Sequence, residues 1–529
     1  MPQAPAIPTP SPTARDVARA PSRPGRERER LLDVAVVALP CAIAAVLAFF
    51  EITDRSLWLD EAASVAIASQ HGIALWHAME HDGGNMLAYY ALLHVVLKLF
   101  GDGALAIRFA SALATAATVA LVSLLARRLF DRRVALAAGL LTAVSVALVY
   151  WGQDARSYAL MTTFVTASFL AFVALVDPAS GARPSRWAWL AYVASIVLAA
   201  YMSFEALLIV PAQLLSLVWL RRRPLRPVIS AVAVAGVCCL PLLVLAHRRG
   251  SSQLFWVPKP NLTQLHQMLE ALLSAGLQPN FHLTTTGTAL LGLSAALVLA
   301  AAAGVVRRAS WPQVLVLCWL VVPVGLSVLE SFLVQPITLP RAALVSLPAA
   351  SLLLAWGAMD HRVPRPLGVV AVGVVLALRF LQLAPSYGVS PENWRAASAH
   401  VLATARPGDC IAFYPSDGRE AFSYYIGTGG PSAARAPRSV LPAVPWREVK
   451  PFVEDYATLS GSALSRIEAS CPRLWFVSSH RGVKNGPSAS RSDYARYVAL
   501  LGSLTRRYAR GLTVTYGWAS PVRVELFRR

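Results

Sequence analysis

Charge is what this sequence has little of. Only 14% of its 529 residues are charged, and a soluble chain of that length needs far more charge to cover its surface. A soluble globular protein is therefore excluded before any motif is read. No Cys/His spacing resembles a zinc site. The first apolar run is too long for a signal-peptide core and lacks a convincing cleavage site, so it reads as a retained span. There is no clear internal repeat, and the notable charged residues lie at helix ends instead of the bilayer midplane, which argues against transport.

Apolar stretches are what is there. Hydrophobic residues make up 56% of the chain, and a spanning helix needs about 20 predominantly apolar residues. Eleven such runs are predicted: Leu31–Ile52, Ala104–Leu125, Val134–Tyr150, Tyr158–Val176, Trp187–Tyr201, Ala206–Leu220, Val228–Ala246, Thr285–Val306, Val314–Val334, Ala342–Ala358 and Leu367–Leu383. Residues 1–30, rich in Pro, Ala, Ser and Arg, cannot bury enough apolar surface to fold and are expected to form a disordered cytoplasmic tail.

The formal charge of +20 comes from Arg clusters in short loops between spans. With the tail inside, Arg127-Arg128 with Arg132-Arg133, Arg183 with Arg186, Arg221-Arg222-Arg223 with Arg226, Arg307-Arg308, and Arg362 with Arg365 all fall on the inner side. That pattern is positive-inside topology, so anionic membrane lipids are the expected partners and nucleic acid is not. Asp60, Glu61, Asp82, Asp154 and Glu205 fall outside, and loops 53–103, 151–157, 247–284 and 335–341 are the outer loops expected to carry chemistry.

From about Pro385 the composition changes, and 385–529 reads as a soluble domain of ordinary size. Cys410–Tyr414 and Leu474–Val477 read as short buried strands, and Trp394–Ala405 and Tyr494–Tyr508 as amphipathic helices. The expected fold class is an all-α polytopic membrane domain over 31–384 plus a C-terminal extracytoplasmic α/β domain, which an odd span count places outside. Four of the six cysteines lie in spans; Cys410 and Cys471, each beside a predicted strand, admit a disulfide in an oxidising compartment.

Three outer segments carry residues suited to chemistry. In Ser56-Leu57-Trp58-Leu59-Asp60-Glu61, Trp58 reads as an interfacial anchor. Asp60 reads either as a helix N-cap or as a carboxylate positioned to take a proton as general base. In Glu80-His81-Asp82-Gly83-Gly84-Asn85-Met86-Leu87-Ala88-Tyr89-Tyr90, His81 and Asp82 read either as a solvated turn or as contributors to a divalent-metal site. In Trp151-Gly152-Gln153-Asp154-Ala155-Arg156-Ser157-Tyr158, Asp154 reads as a second metal ligand or as the partner of Arg156, and Arg156 as a bidentate phosphate ligand. Arg341, opening a span from outside, and Arg108, in a comparable place, either snorkel to headgroups or bind a phosphate.

Together the Trp-x-Asp-Glu motif, the Tyr-Tyr-x-Leu-Leu-His stretch, the Arg-Ser-Tyr-Ala-Leu segment and Arg341 with Pro348 resemble the GT-C glycosyltransferases that use polyprenyl-phosphate sugars. Relatives in that group include protein O-mannosyltransferases and aminoarabinose transferases. The resemblance covers 31–383. It departs at Asn85-Met86-Leu87-Ala88, where relatives often have Pro-Leu before the Tyr pair, and at Asp154, where they often have Glu.

The resemblance implies Asp60 as catalytic base, with Asp82 or Asp154 near a metal (Mg, Mn or Zn) or the donor phosphate, and Arg156 and Arg341 on that phosphate. It implies displacement at the anomeric carbon, moving a sugar from a lipid phosphate to a hydroxyl of a protein, lipid or polysaccharide on the outer face. Glu61 points elsewhere on the helix and reads as supporting the turn or binding an acceptor, while a retaining route would use it as nucleophile. The rival readings are a transporter or flippase of lipid-linked sugars, and a silent glycan-binding member.

Overall fold

A computed structural model describes residues 23–177, 185–220, 224–250, 254, 257–274, 285–307, 310–427, 431–452 and 461–529. Trp256, Arg183, Arg221-Arg222-Arg223 and Arg308 lie outside them. So do residues 1–22 of the expected tail; the rest of that tail, from Arg23, is the start of the helix Arg23–Phe49. Alternating Glu and Arg are good helix formers, and the apolar span behind them supplies the nucleus they extend.

All eleven apolar runs fall on helix. Seven helices are long and apolar enough to cross a membrane, and the pair Arg132–Ala143 and Val146–Gly152, bent by 56°, makes an eighth if taken as one span. The other three runs fall on the shorter helices Arg186–Met202, Phe204–Trp219 and Leu347–Met359. Leu347–Met359 shows why hydropathy overstates its case: nearly all its side chains are buried in protein. An apolar residue shielded by neighbouring helices and one facing lipid score alike. The chain is a multi-pass membrane protein.

Tyr158–Val176 sits at the centre of the bundle, while Glu27–Phe49 and Thr285–Arg307 leave most of their apolar side chains on the outside, as lipid contact requires. Small residues let helices meet closely: a Cβ on Gly139 would lie 2.2 Å from Ser123 Oγ, and one on Gly152 only 2.1 Å from Thr115 Oγ1. The break between Ala143 and Val146 delivers the chain to Trp151 and Asp154. Ser145 caps the second half by accepting from the Leu148 N–H. Arg379 of the last span, Arg365–Leu383, donates to the Leu141 carbonyl that the break leaves without its helical partner, and to Leu273 O at 3.3 Å.

The C-terminal part forms a five-stranded sheet of order β2-β1-β3-β5-β4: β1 Cys410–Tyr414, β2 Arg438–Leu441, β3 Arg473–Ser478, β4 Ala509–Tyr516 and β5 Val522–Arg528. β1 runs parallel to β2 and β3; β5 runs antiparallel to β3 and β4. Period-two alternation splits β1 between two cores. Ile411 and Phe413 pack with Trp394, Phe422 and Trp475 on one face. Cys410, Ala412 and Tyr414 pack with Leu474, Tyr497 and Phe527 on the other. A disulfide joins Cys410 to Cys471. Ala62, with Leu59 beside it, belongs to the first of these cores, so the sheet domain closes directly over the helix Leu59–Ala68 of the membrane domain.

Candidate active site

Between the first span and Leu59–Ala68 the backbone is pinned by buried cations. Arg108, four residues into Ala104–Leu129, forms two parallel bonds of 2.7 Å to Glu61, from Nε and Nη2. Its Nη1 donates to Ile52 O at 2.8 Å and Arg55 O at 3.1 Å. Arg55 donates in turn to Tyr150 O and Gln153 O, at 3.0 and 2.8 Å, with its guanidinium 3.9 Å from the centre of the Tyr150 ring. Gln153 donates to Phe50 O at 2.6 Å and Ala48 O at 3.2 Å, taking up carbonyls at the end of the first span.

Two acids inside this network differ in charge. Burial alone would push the Glu61 carboxyl up, but Arg108, the Ala155 N–H (2.8 Å) and Arg55 hold it below the ordinary carboxylate range. Asp154 is pushed well above that range by burial and by the charge of Glu61, against the Trp58 hydrogen bond and Arg55. The surroundings thus favour the charged form of Glu61 and the protonated form of Asp154.

Three residues are held by contacts that the sequence does not show. Arg108 is fully buried with its donors on Glu61 and two carbonyls, and so holds the loop. Glu61 is taken up by Arg108 and the Ala155 N–H. Trp58 donates from Nε1 to Asp154 Oδ1 at 2.9 Å and packs its ring against Trp151. The N-cap position also belongs to Trp58, which leaves Asp60 in the first turn, without a capping bond.

Asp60 faces the other way, 32% exposed, with Oδ2 3.6 Å from Arg156 Nη2 and 3.6 Å from Arg341 Nη1. The first turn of Leu59–Ala68 suits an anion because the helix dipole is positive there. Arg156 is anchored by Ser64 Oγ (3.2 Å) and Tyr158 Oη (3.4 Å), and its Nε meets no acceptor among the described residues. Arg341 opens the 3₁₀ turn Pro340–Val345. Both guanidinium groups lie over the Tyr158 ring, at 5.7 and 5.4 Å. Sequence positions 60, 156 and 341 thus meet around one ring.

Asp82 accepts from Tyr90 Oη at 2.9 Å. Burial pushes its carboxyl up to about 7, opposed by Arg156 and Tyr90 and reinforced by Asp60. A carboxyl raised in the fold favours the folded state below its unfolded value near 3.8, and that contribution is lost as pH rises through about 7. Asp82→Asn is therefore expected to flatten the fall of the thermal midpoint between about pH 4 and 7. An unchanged slope would show that another group titrates there.

His81 packs its ring on Phe452 at 4.4 Å. Among the described residues no three His, Cys, Asp or Glu side chains come together as a metal site. His81, Asp82 and Asp154 therefore do not make the three-ligand set expected from sequence.

Arg55, Gln153 and the C-terminal residues Ser390, Glu392, Arg395 and Tyr425 were not anticipated. Arg55, beside the Asp-bearing loop at a span end, carried a signal; the others are single polar residues in unpatterned sequence.

A family model for dolichyl-phosphate-mannose-protein mannosyltransferase matches residues 85–245, which hold Tyr90, Arg108, Asp154 and Arg156 but neither Asp60 nor Arg341. No curated protein matches the chain at a significant level. Among solved structures, ArnT from Cupriavidus metallidurans bound to undecaprenyl phosphate is 13% identical, with a TM-score of 0.55 over 93% of this chain and 98% of that one. The Archaeoglobus fulgidus oligosaccharyltransferase in complex with Zn and sulfate is 14% identical, with a TM-score of 0.53 over 92% of this chain and 72% of that one. The same archaeal protein, AglB, with an inhibitory peptide and a dolichol-phosphate is 12% identical, with a TM-score of 0.51 over 93% and 74%. The chain therefore has the GT-C fold shared with ArnT and the archaeal oligosaccharyltransferase, and its residues 85–245 match the dolichyl-phosphate-mannose-protein mannosyltransferases.

Proposed function

We propose that the protein is a membrane glycosyltransferase that moves a sugar from a polyprenyl-phosphate donor to an acceptor hydroxyl, with Asp60 as general base and Arg156 and Arg341 on the donor phosphate. The observation that carries this reading is the placement of the Asp60 carboxylate between the two guanidinium groups, 3.6 Å from each. A phosphate entering there draws both cations, and Asp60 is left to take the proton of the acceptor.

The acceptor oxygen attacks the anomeric carbon as the bond from that carbon to the phosphate oxygen breaks. The phosphate leaves with the electron pair, stabilised by Arg156 and Arg341, and the hydroxyl proton passes to Asp60. His81, Asp82 and Asp154 do not fit a metal ion as a set, and no step is routed through one.

For sidedness, Arg108 and Arg127 stand at opposite ends of one helix, roughly 28 Å apart at 1.5 Å per residue. Arg127 and Arg132 pair with Asp33 at the end away from Asp60, at 2.9 and 2.6 Å. Basic residues at that end support a cytoplasmic N terminus, with Asp60 and the sheet domain extracytoplasmic, in the cell membrane. The acceptor is a protein, lipid or polysaccharide carrying a free hydroxyl.

Full-length protein in proteoliposomes, given a labelled polyprenyl-phosphate sugar and an acceptor extract, tests the assignment. Arg156→Ala and Arg341→Ala are each expected to raise the donor KM about tenfold or more, the worth of one charge-assisted contact to phosphate. Lipid-sugar crossing the bilayer with no transfer to acceptor would replace this reading with transport.

A further inference from the structure

The sheet domain grips the segment that carries Asp60 by its backbone. The Ser56 N–H donates to Ser390 Oγ at 2.8 Å, the Leu57 N–H to Tyr425 Oη at 2.7 Å, and the Leu59 N–H to Glu392 Oε2 at 3.2 Å. In the other direction Arg395 donates to the carbonyls of Thr53 and Asp54, at 2.7 and 3.1 Å. Leu59 is the first residue of the helix whose second residue is Asp60, and its N–H has no partner within that helix.

Glu392 is the charged member of this grip, and it is 3% exposed. Its Oε2 also accepts from Trp394 Nε1 at 3.0 Å, and its Oε1 lies 3.2 Å from Nε2 of His480, in the loop after β3. His480 adopts φ +43°, a conformation rare for a residue with a side chain, and so is held in place by its surroundings. Residues after β4 fix the Glu392 loop: the Trp518 N–H donates to Pro391 O, and a Cβ on Gly517 would lie 2.4 Å from that carbonyl. Glu392 also lines the narrow cleft it shares with Arg55, Trp58, Glu61, Arg108 and Asp154. A carboxylate buried this far is costly unless each oxygen is matched. Burial pushes the carboxyl up, against His480, Trp394 and the Leu59 N–H, and the nearby Asp60 charge adds to the rise.

We propose that Glu392 and His480 are positioning residues for the transfer site: Glu392 fixes the first turn of Leu59–Ala68, and thereby Asp60, through the Leu59 N–H, while His480 holds its other oxygen. The sheet domain then completes the site in addition to covering it. This rests on the role proposed above for Asp60.

The test uses full-length protein in proteoliposomes with a labelled polyprenyl-phosphate sugar, together with hydrogen exchange. Glu392→Ala is expected to lower kcat about tenfold at unchanged donor KM, the loss of one charge-assisted contact. His480→Ala is expected to lower it less, and His480→Gln, whose amide can still donate to Glu392, to recover most of that loss. Exchange at 59–62 rises in Glu392→Ala while β1 stays protected, which separates positioning from unfolding. Glu392→Ala at the wild-type kcat, with Asp60→Asn inactive, would overturn the positioning role and leave the base standing. If Asp60→Asn itself transfers normally, the base fails, and unaltered exchange at 59–62 in Glu392→Ala would overturn the clamp independently.

Discussion

Asp60→Asn is expected to lower kcat by about 10²–10⁴-fold, the range for loss of a general base, while donor binding is kept or tightened. The second half follows from geometry. Asp60 is the anion held by Arg156 and Arg341 before a donor arrives, and Asn removes that competitor without removing either guanidinium. Steady-state transfer with KM resolved from kcat checks both halves. A variant that lost donor affinity but kept kcat would make Asp60 a binding residue.

Glu61→Ala is expected to cost about 3–5 kcal/mol of stability, because it strands a buried cation. Arg108 gives two of its donors to Glu61 and another to the carbonyls of Ile52 and Arg55. Losing the carboxylate leaves an uncompensated charge in a buried site. Arg108→Met is expected to be comparably severe, since it orphans both Glu61 and the carbonyls. The double variant Glu61→Leu with Arg108→Met regains only part of the loss, because two apolar residues repair the charge but not those carbonyls. Thermal unfolding in detergent, with monodispersity as a second readout, measures this. Wild-type midpoints for both single variants would mean that the pair carries no structural weight.

These two expectations separate adjacent acids that the helical reading of the sequence already sends to different sides. A rotation of about 100° per residue turns Glu61 inward to Arg108 and leaves Asp60 facing Arg156 and Arg341. Arg108 is placed by the same packing. An Arg near the outer end of a span snorkels, binds phosphate or buries against an acid, and only the loop packed over it decides which.

What was legible came from long-range periodicity and composition: the apolar runs, the change at Pro385, and the strands Cys410–Tyr414 and Leu474–Val477, which fall in β1 and β3. The three shorter apolar helices fall below the length of a full span by themselves, and hydropathy does not record what covers a residue. Trp58 was misread because an indole beside a membrane span usually sits at the interface, and its acceptor, Asp154, lies 96 residues away. Glu392 was beyond reach. A lone acid in a loop becomes informative only when folding lays it on the Leu59 N–H, 333 residues earlier in the chain.

The central claim is that Asp60 takes the acceptor proton while Arg156 and Arg341 hold the donor phosphate. Single-turnover transfer from pre-bound labelled polyprenyl-phosphate sugar, with wild type compared against Asp60→Asn, tests it most directly, since binding is complete before the acceptor is added. The account predicts prompt product from the wild type and, from Asp60→Asn, donor retained without transfer. Transfer by Asp60→Asn at the wild-type single-turnover rate would contradict it.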